Sequence, residues 1–197
     1  MNINLIYPQI PAILDRHIPE TSITACGLLS DLTAQIKDQL QQSAKDTPSA
    51  TVNIITAPIE NLMRKLITQA RTQPASSNLN IILQLGASVQ DDRWHSASGF
   101  TVTCQKSNPQ SDQLSDILIL QASRILGRSA IANQATAICQ REHSTARLLD
   151  VATAPTVLST CIYIDNEHDA DFLRSGSGIP TLAIVHAQAI REYLMLI

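Results

Sequence analysis

The sequence predicts an α/β protein, a three-layer sandwich whose mostly parallel central sheet has helices on both faces. Segments with strand-like and helix-like patterns alternate along the 197 residues. The segment LNIILQLGA (79–87) is a continuous apolar run, which is typical of a central strand covered on both faces. The chain contains no internal repeat and no long linker, so we expect a single domain spanning 1–197.

The predicted strands differ in how much of each is buried. In GFTVTCQ, the side chains of Phe100, Val102 and Cys104 alternate with polar ones, which predicts a half-exposed or edge strand. The other predicted strands are apolar on most positions and lie at 4–7, 51–56, 79–87, 148–152 (a short one) and 157–164.

The helices are predicted from apolar residues that recur every three or four positions. The clearest spans 21–42 and has one apolar face, formed by Ile23, Cys26, Leu29, Leu32, Ile36 and Leu40. A second begins after Pro58, a third is capped by Ser111 and ends before Gly127, and the last begins at Pro180. The segment 128–143 has too few apolar residues to be assigned.

Composition excludes several classes of function. Charged residues make up 16% of the chain, the formal net charge is −3 and aromatic residues are 3%, so a nucleic-acid partner is not expected. No apolar run approaches the ~18 residues of a membrane span. The first residues lack the features of a signal peptide, so we expect a cytoplasmic protein, or an envelope protein if a leader has been trimmed.

None of the cysteines forms a C-x-x-C pair, and we interpret all four as small buried hydrophobes: Cys26, Cys104, Cys139 and Cys161.

The stretch PTVLSTCIYIDNEHDADFL (155–173) reads as a buried strand that turns into a short acidic helix. In α/β proteins, ligands usually bind at such a corner. Yet Ser159, Thr160 and Cys161 offer no obvious catalytic group at the end of this strand.

This corner resembles a pattern from a family of cell-wall hydrolases, P-x-V-L-V-E-x-G-F-I-S-N followed by an acidic helix that ends in Leu. Tyr163 takes the place of the family's Phe. The segment 97–102, ASGFTV, resembles the family's ASGFEVY strand, and RKLITQ (64–69) stands where the family has R-x-x-I-A-N. The positions that fit the first pattern in register are Pro155, Val157, Leu158, Ile164, Asn166, Asp169 and Leu173.

In the order of these segments, and in its closing helix, the chain is similar to the zinc-dependent N-acetylmuramoyl-L-alanine amidases. The resemblance covers nearly the whole chain, although Ala57 replaces the Arg of the family's L-T-R strand end. It implies the amidase fold and a place in peptidoglycan chemistry. These enzymes cut the bond between muramic acid and the stem peptide.

The resemblance also implies a zinc site that this chain has mostly lost. The family's two histidine ligands fall on Ile10 and Gly86, and its catalytic Glu falls on Thr160. Only Glu20, before the first helix, matches a ligand position. Since a catalytic zinc needs three protein ligands, one carboxylate cannot hold it. We therefore expect no cofactor and a pseudoenzyme that binds a peptidoglycan fragment or a protein partner.

An alternative interpretation keeps the chain an enzyme. His17 and Glu20 form an H-x-x-E motif, HIPE, the spacing that zinc carboxypeptidases combine with a distant His. A divergent amide hydrolase would then hold zinc on these two residues, although Glu20 also fits a first-turn acid favoured by the helix dipole. The candidates for the distant ligand are His95, His143, His168 and His186.

The remaining candidate residues are interpreted as follows. Trp94 either binds a ligand, by stacking on a sugar or contacting a protein partner, or packs against the hydrophobic core of the protein. Cys161 or Thr160 would be a nucleophile only with a base such as His168 beside it. The segment RSGSGIP (174–180) is either an anion cradle or a flexible turn. The expected cleft is lined by Trp94, His95, Gly86, Thr160 and Asn166.

Overall fold

The computed structural model describes residues 1–9, 15–42, 50–87, 93–105, 108–127 and 144–197. They contain a five-stranded sheet of order β2-β1-β3-β5-β4. All neighbouring strands are parallel except β4, which runs antiparallel to β5. The strands are β1 Asn2–Pro8, β2 Thr51–Ala57, β3 Asn78–Gly86, β4 Thr101–Cys104 and β5 Thr156–Tyr163.

Helices cover both faces of this sheet. One core cluster joins the sheet to α1, α3, α5 and α6, and a smaller cluster joins its other face to α2 and α4. This arrangement confirms the predicted three-layer fold. The helices are α1 Ala25–Gln42, α2 Ile59–Thr72, α3 Pro109–Leu126, α4 Arg147–Val151, α5 Glu167–Arg174 and α6 Gly178–Leu196.

The central position of β3 accounts for its apolar run. Because side chains alternate between the two faces of a strand, Ile81 belongs to the larger cluster, whereas Ile82 belongs to the smaller one. Both are fully buried. The edge strand predicted from the alternating pattern around Val102 is confirmed as β4.

One predicted strand and the predicted start of one helix are wrong. The segment 148–152 is not a strand, because Leu148 and Leu149 belong to the short helix α4, and both are buried in the smaller cluster. Periodicity cannot distinguish the two structures in so short an apolar run. The first long helix begins at Ala25 rather than at Thr21, because the amide of Ile18 donates to Ile23 O and closes a turn there. Ile23 is consequently exposed.

Two predicted helix starts are also wrong. Asn108, rather than Ser111, caps α3, because its side chain accepts hydrogen bonds from the amides of Gln110 and Ser111. The Ser111 hydroxyl is buried and accepts from Thr156 N at 2.9 Å. The last helix begins at Gly178, two residues before Pro180.

Of the cysteines in the described part of the chain, only Cys161 is buried as expected, whereas Cys26 and Cys104 are half-exposed. The Cys104 thiol donates to the Asp112 carboxylate. Cys139, Ile10, His143 and the segment 128–143 lie outside the described residues. Among the helices that are described, none has the length and hydropathy needed to span a membrane.

Candidate functional site

The candidate site lies where β3 and β5 end side by side. The amide of Ile164 donates to Gly86 O at 3.0 Å, and Gly86 is paired with Tyr163. Between Gln84 and Gly86 the register shifts, so that β5 contains one more residue than β3. This β-bulge tilts the end of β5 at the edge where ligands bind in parallel sheets.

The bulge gives Ile162 an unusual backbone. Its φ is 139°, in a region that favours glycine because a Cβ crowds the backbone there. In the register of the family pattern described above, the glycine falls on this residue. The backbone thus has a conformation suited to glycine although a buried isoleucine stands in its place.

The ring of Tyr163 occupies the space beside Gly86. A Cβ built on Gly86 would lie 2.7 Å from the Tyr163 Cδ1 atom, closer than real contacts allow. Any side chain at this position, a histidine included, would displace the ring. The end of β3 therefore presents an aromatic ring where the resemblance implies a zinc ligand.

Thr160 lies earlier on β5 than this ring and is buried. Its hydroxyl accepts a hydrogen bond from Gln84 Nε2 at 3.0 Å. A hydroxyl does not ionise near neutral pH and so cannot replace the carboxylate that moves a proton in a zinc hydrolase. The pair offers neutral hydrogen-bonding groups at this edge.

Two predicted cleft residues are held together at the corner after β5. The amide of His95 donates to Asp165 O at 2.6 Å, and Asn166 Nδ2 donates to His95 O at 3.1 Å. Trp94 is half-buried and packs against the larger core cluster. The structure thus brings Trp94, His95 and Asn166 to the same corner as Gly86.

Asp169 ties this corner to the segment before β4. Its Oδ2 atom accepts from the amides of Gly99 and Tyr163, both at 3.0 Å. The Asn166 side chain in turn accepts from Asp169 N and caps α5. Burial raises the pKa of the Tyr163 phenol, and the negative charges of Asp165 and Asp169 raise it further.

The two candidate metal ligands lie on the loop before α1. His17 and Glu20 are both exposed, and His17 forms an isolated bridge with Thr24. Glu20 has a φ of 62°, which is the left-handed conformation of a tight turn. Within the described ranges, no three His, Cys, Asp or Glu side chains are grouped so that they could hold a metal ion.

His186, a candidate distant ligand by sequence, is completely buried in the structure. Ser159 Oγ lies 2.9 Å from its Nε2 atom, and Leu182 O lies 2.7 Å from its Nδ1 atom. Since a carbonyl only accepts, Nδ1 carries the proton and Nε2 accepts from the serine hydroxyl. Burial lowers the pKa of this imidazole to about 4, although the bond to Leu182 opposes the shift. Both ring nitrogens are engaged, so His186 has a structural role.

The surroundings of His186 also test the hypothesis of a cysteine nucleophile. Cys161 Sγ lies 3.8 Å from His186 Nε2, whereas His168 is exposed on α5. Burial raises the pKa of the Cys161 thiol to about 12, so it stays protonated and unreactive at neutral pH. Sequence reasoning missed the Ser159–His186 pair because its members lie on different elements with no motif linking them.

No protein-family model matches the chain, and no curated protein matches it in sequence. The CwlD amidase from Clostridioides difficile, solved in complex with the GerS lipoprotein, matches over 98% of this chain and 99% of its own, with a TM-score of 0.72 and 14% identity. This chain has the fold of the N-acetylmuramoyl-L-alanine amidases.

Two further structures agree. The amidase Ami1 from Mycobacterium smegmatis has a TM-score of 0.69 and 13% identity, with 99% of this chain and 97% of that one covered. The catalytic domain of the amidase CwlV from Bacillus (Paenibacillus) polymyxa has a TM-score of 0.69 and 14% identity, with both chains fully covered. The resemblance seen in the sequence is therefore confirmed as an amidase fold, at an identity so low that the fold alone is shared.

Proposed function

We propose that this protein is a pseudoenzyme with the amidase fold, which binds a peptidoglycan fragment or a protein partner without cleaving it. One observation carries the proposal: the ring of Tyr163 fills the space beside Gly86, where the resemblance implies a histidine ligand. An amidase of this kind needs a metal to polarise the scissile carbonyl and activate water. At this edge, the chain presents an aromatic ring and a threonine hydroxyl.

The groups at the corner suit binding. Gln84 is half-buried and carries an amide, which complements the hydroxyl and amide groups of sugars and peptides. Thr160 and Asn166 are buried and hold the corner together through hydrogen bonds to Gln84, His95 and Asp169. Trp94 is half-buried at the same corner and packs against the larger core cluster. Aromatic rings with one exposed face are common in binding sites because they bury much area with little loss of entropy. The neighbour CwlD was solved with a lipoprotein, which supports the protein-partner form of the proposal.

The first experiment tests the absence of catalysis. Purified protein incubated with zinc and then dialysed is expected to retain less than one equivalent of metal, measured by atomic emission, and to release no stem peptide from purified peptidoglycan. Glu20→Ala is the matched variant. Stoichiometric zinc in the parent that disappears in Glu20→Ala, together with measurable cleavage, would instead establish the alternative hydrolase built on His17 and Glu20.

The second experiment tests binding. Titration calorimetry with muramyl dipeptide is expected to give saturable heat that Trp94→Ala weakens at least tenfold and Trp94→Phe weakens less. Binding that is unchanged in Trp94→Ala would place the ligand elsewhere. If neither muramyl dipeptide nor longer wall fragments bind, the peptidoglycan form of the proposal is wrong.

A further inference from the structure

A row of amide side chains crosses the sheet on the face that α2 covers. Asn53 Nδ2 donates to Asn4 Oδ1 at 3.1 Å, and Asn4 Nδ2 donates to Asn80 Oδ1 at 2.9 Å. Asn80 Nδ2 then donates to Thr156 Oγ1 at 3.1 Å. The four residues are register partners on β2, β1, β3 and β5, so the row runs straight across four strands.

Packing alone gives no reason for these amides. The inner strands of a parallel sheet are normally apolar on both faces, and a buried amide destabilises the protein unless it is hydrogen-bonded. Asn4 and Asn80 are only 3% and 0% exposed. Leucine or valine would fill the same layer without needing partners. A second amide pair, Asn2 with Asn78, lies next to the row at the start of β1 and β3.

A cavity of about 470 Å³ lies over this amide floor, and we refer to it as the α2 cavity. Its floor combines the amides of Asn2, Asn4, Asn53 and Asn78 with the apolar side chains of Ile6 and Ile55, and Leu62 and Leu66 of α2 form an apolar wall. The volume lies within the ~300–1,000 Å³ range of small-molecule sites. A lining that combines amides with apolar side chains suits a sugar ring, since its hydroxyls point outward and its ring face is apolar.

The charged residues that line the α2 cavity favour an anionic ligand. Among the described residues that line the α2 cavity, the charged ones are Arg64 and Lys65, and both are exposed on α2. Two neighbouring cations attract an anion and pair with a carboxylate or phosphate. Each asparagine amide has two N–H donors and a carbonyl oxygen, so the floor can both donate to hydroxyl groups and accept from them.

We propose that the α2 cavity binds a small acidic sugar, a hydroxylated molecule with one carboxylate or phosphate group. Lys65 and Arg64 pair with the acid, and the half-exposed amide of Asn53, which is held in place by its hydrogen bond to Asn4, contacts the hydroxyls. This site lies over the amino-terminal halves of the strands, whereas the candidate cleft lies at their carboxyl ends. The proposal is therefore independent of the proposed function at the cleft.

Titration calorimetry with glucuronate, glucose 6-phosphate and uncharged glucose tests the proposal. We expect at least one acidic sugar to bind at least tenfold more tightly than glucose. Lys65→Ala should weaken acidic-sugar binding about fivefold, the loss of one charged contact worth about 1 kcal/mol, and leave glucose unchanged. Arg71→Ala is the matched control, because Arg71 is an exposed cation on α2 that does not line the cavity.

A direct readout comes from the side-chain NH₂ resonances of the asparagines in nitrogen–proton correlation spectra. Those of Asn4, Asn53 and Asn78 should shift with the acidic sugar, whereas that of Asn108, which caps α3 away from the cavity, should not. Asn53→Ser, at a half-exposed position, should weaken the binding of whichever acidic sugar binds. The proposal is overturned if neither acidic sugar gives heat or shifts at millimolar concentration, if glucose binds equally well, or if Lys65→Ala and Asn53→Ser leave affinity unchanged.

Discussion

Two residues at the ends of the central strands determine the geometry of the candidate cleft. Gly86 lets the Tyr163 ring lie directly against β3, and Ile162 adopts a φ of 139° so that β5 can bulge. Both features depend on the size of one side chain. The resemblance to the amidases implies that Gly86 replaces a ligand, but nothing in the sequence indicates that the ring from β5 fills the space beside it.

The strain at Ile162 leads to a prediction about single substitutions. At an ordinary strand position, alanine is more stable than glycine by roughly 0.5–1 kcal/mol. At a positive φ the order reverses, because only glycine escapes crowding by Cβ. We expect the Ile162→Gly variant to have an unfolding free energy about 1 kcal/mol higher than that of Ile162→Ala, as measured by urea denaturation. Both variants should be less stable than the parent protein.

The matched control is Val157, which is buried on the same strand and faces the same core cluster. There Val157→Ala should be more stable than Val157→Gly. If Ile162→Ala is also more stable than Ile162→Gly, the backbone at the bulge is not strained.

At the scale of helices and strands, Asp169 connects α5 to the end of β5 and to the segment before β4. It lies in the first turn of α5, where negative charge is favoured by the helix dipole, and accepts from amides at the end of β5 and before β4. The hydrogen bonds of Asn166 hold the same corner. These contacts fix the segment of Trp94 and His95 relative to the sheet, and so they position the residues proposed to bind.

We expect Asp169→Ala to lower the unfolding free energy by about 2 kcal/mol, since it leaves two amide donors without their charged acceptor. Asp169→Asn retains one acceptor oxygen and should lose about half as much. The same urea assay measures both. Asp171→Ala is the control, because Asp171 is exposed on the same helix and pairs with Arg174 at the surface, and its loss should stay within ~0.5 kcal/mol. Equal losses at positions 169 and 171 would contradict this account of the corner.

Across the molecule as a whole, His186 joins α6 to strand β5 of the sheet. It donates to Leu182 of its own helix, accepts from Ser159 of β5, and contacts the Phe100 ring, with centroids 5.6 Å apart. The neutral imidazole fits this buried position, whereas the charged form would lose its hydration. Protonation of this one side chain therefore opposes folding of the entire core.

This burial makes stability depend on pH. The pKa of His186 is about 4 in the folded protein and 6.5 in its ordinary state, so the unfolded chain binds the extra proton between these values. Its contribution is constant above pH 6.5 and falls by about 3 kcal/mol as the pH drops to 4. Urea denaturation from pH 4 to 7 measures the slope of stability against pH, and His186→Gln should reduce that slope.

An NMR titration of the His186 ring provides a second readout that needs no variant. The Cε1 proton of His186 should keep the chemical shift of neutral imidazole at pH 5. A His186 ring that titrates near its ordinary pKa would show that the core accommodates the charge.

The three layers of this fold and the succession of its strands and helices along the chain can be predicted from the amino-acid sequence. The reason is that burial on one or both faces of an element leaves a periodic pattern of apolar residues. A continuous apolar run predicts β3, and an alternating one predicts β4. The positions Gly86 and Thr160, in contrast, are singled out only by the resemblance to the amidases, and their being replaced site residues stays a prediction. The single domain spanning 1–197 and the roles of His17 and Glu20 stay predictions.

Which residues fill the cleft, and which support it, depends on packing that no local pattern encodes. Tyr163 meets Gly86, His186 meets Ser159, and Asn53 meets Asn4 across long distances in the chain. The short helix α4 is a similar case, since its two leucines suit a strand as well as a helix. The physical reason is the same for each: periodicity reports which side of an element is buried, whereas the identity of the partner depends on how the elements are packed.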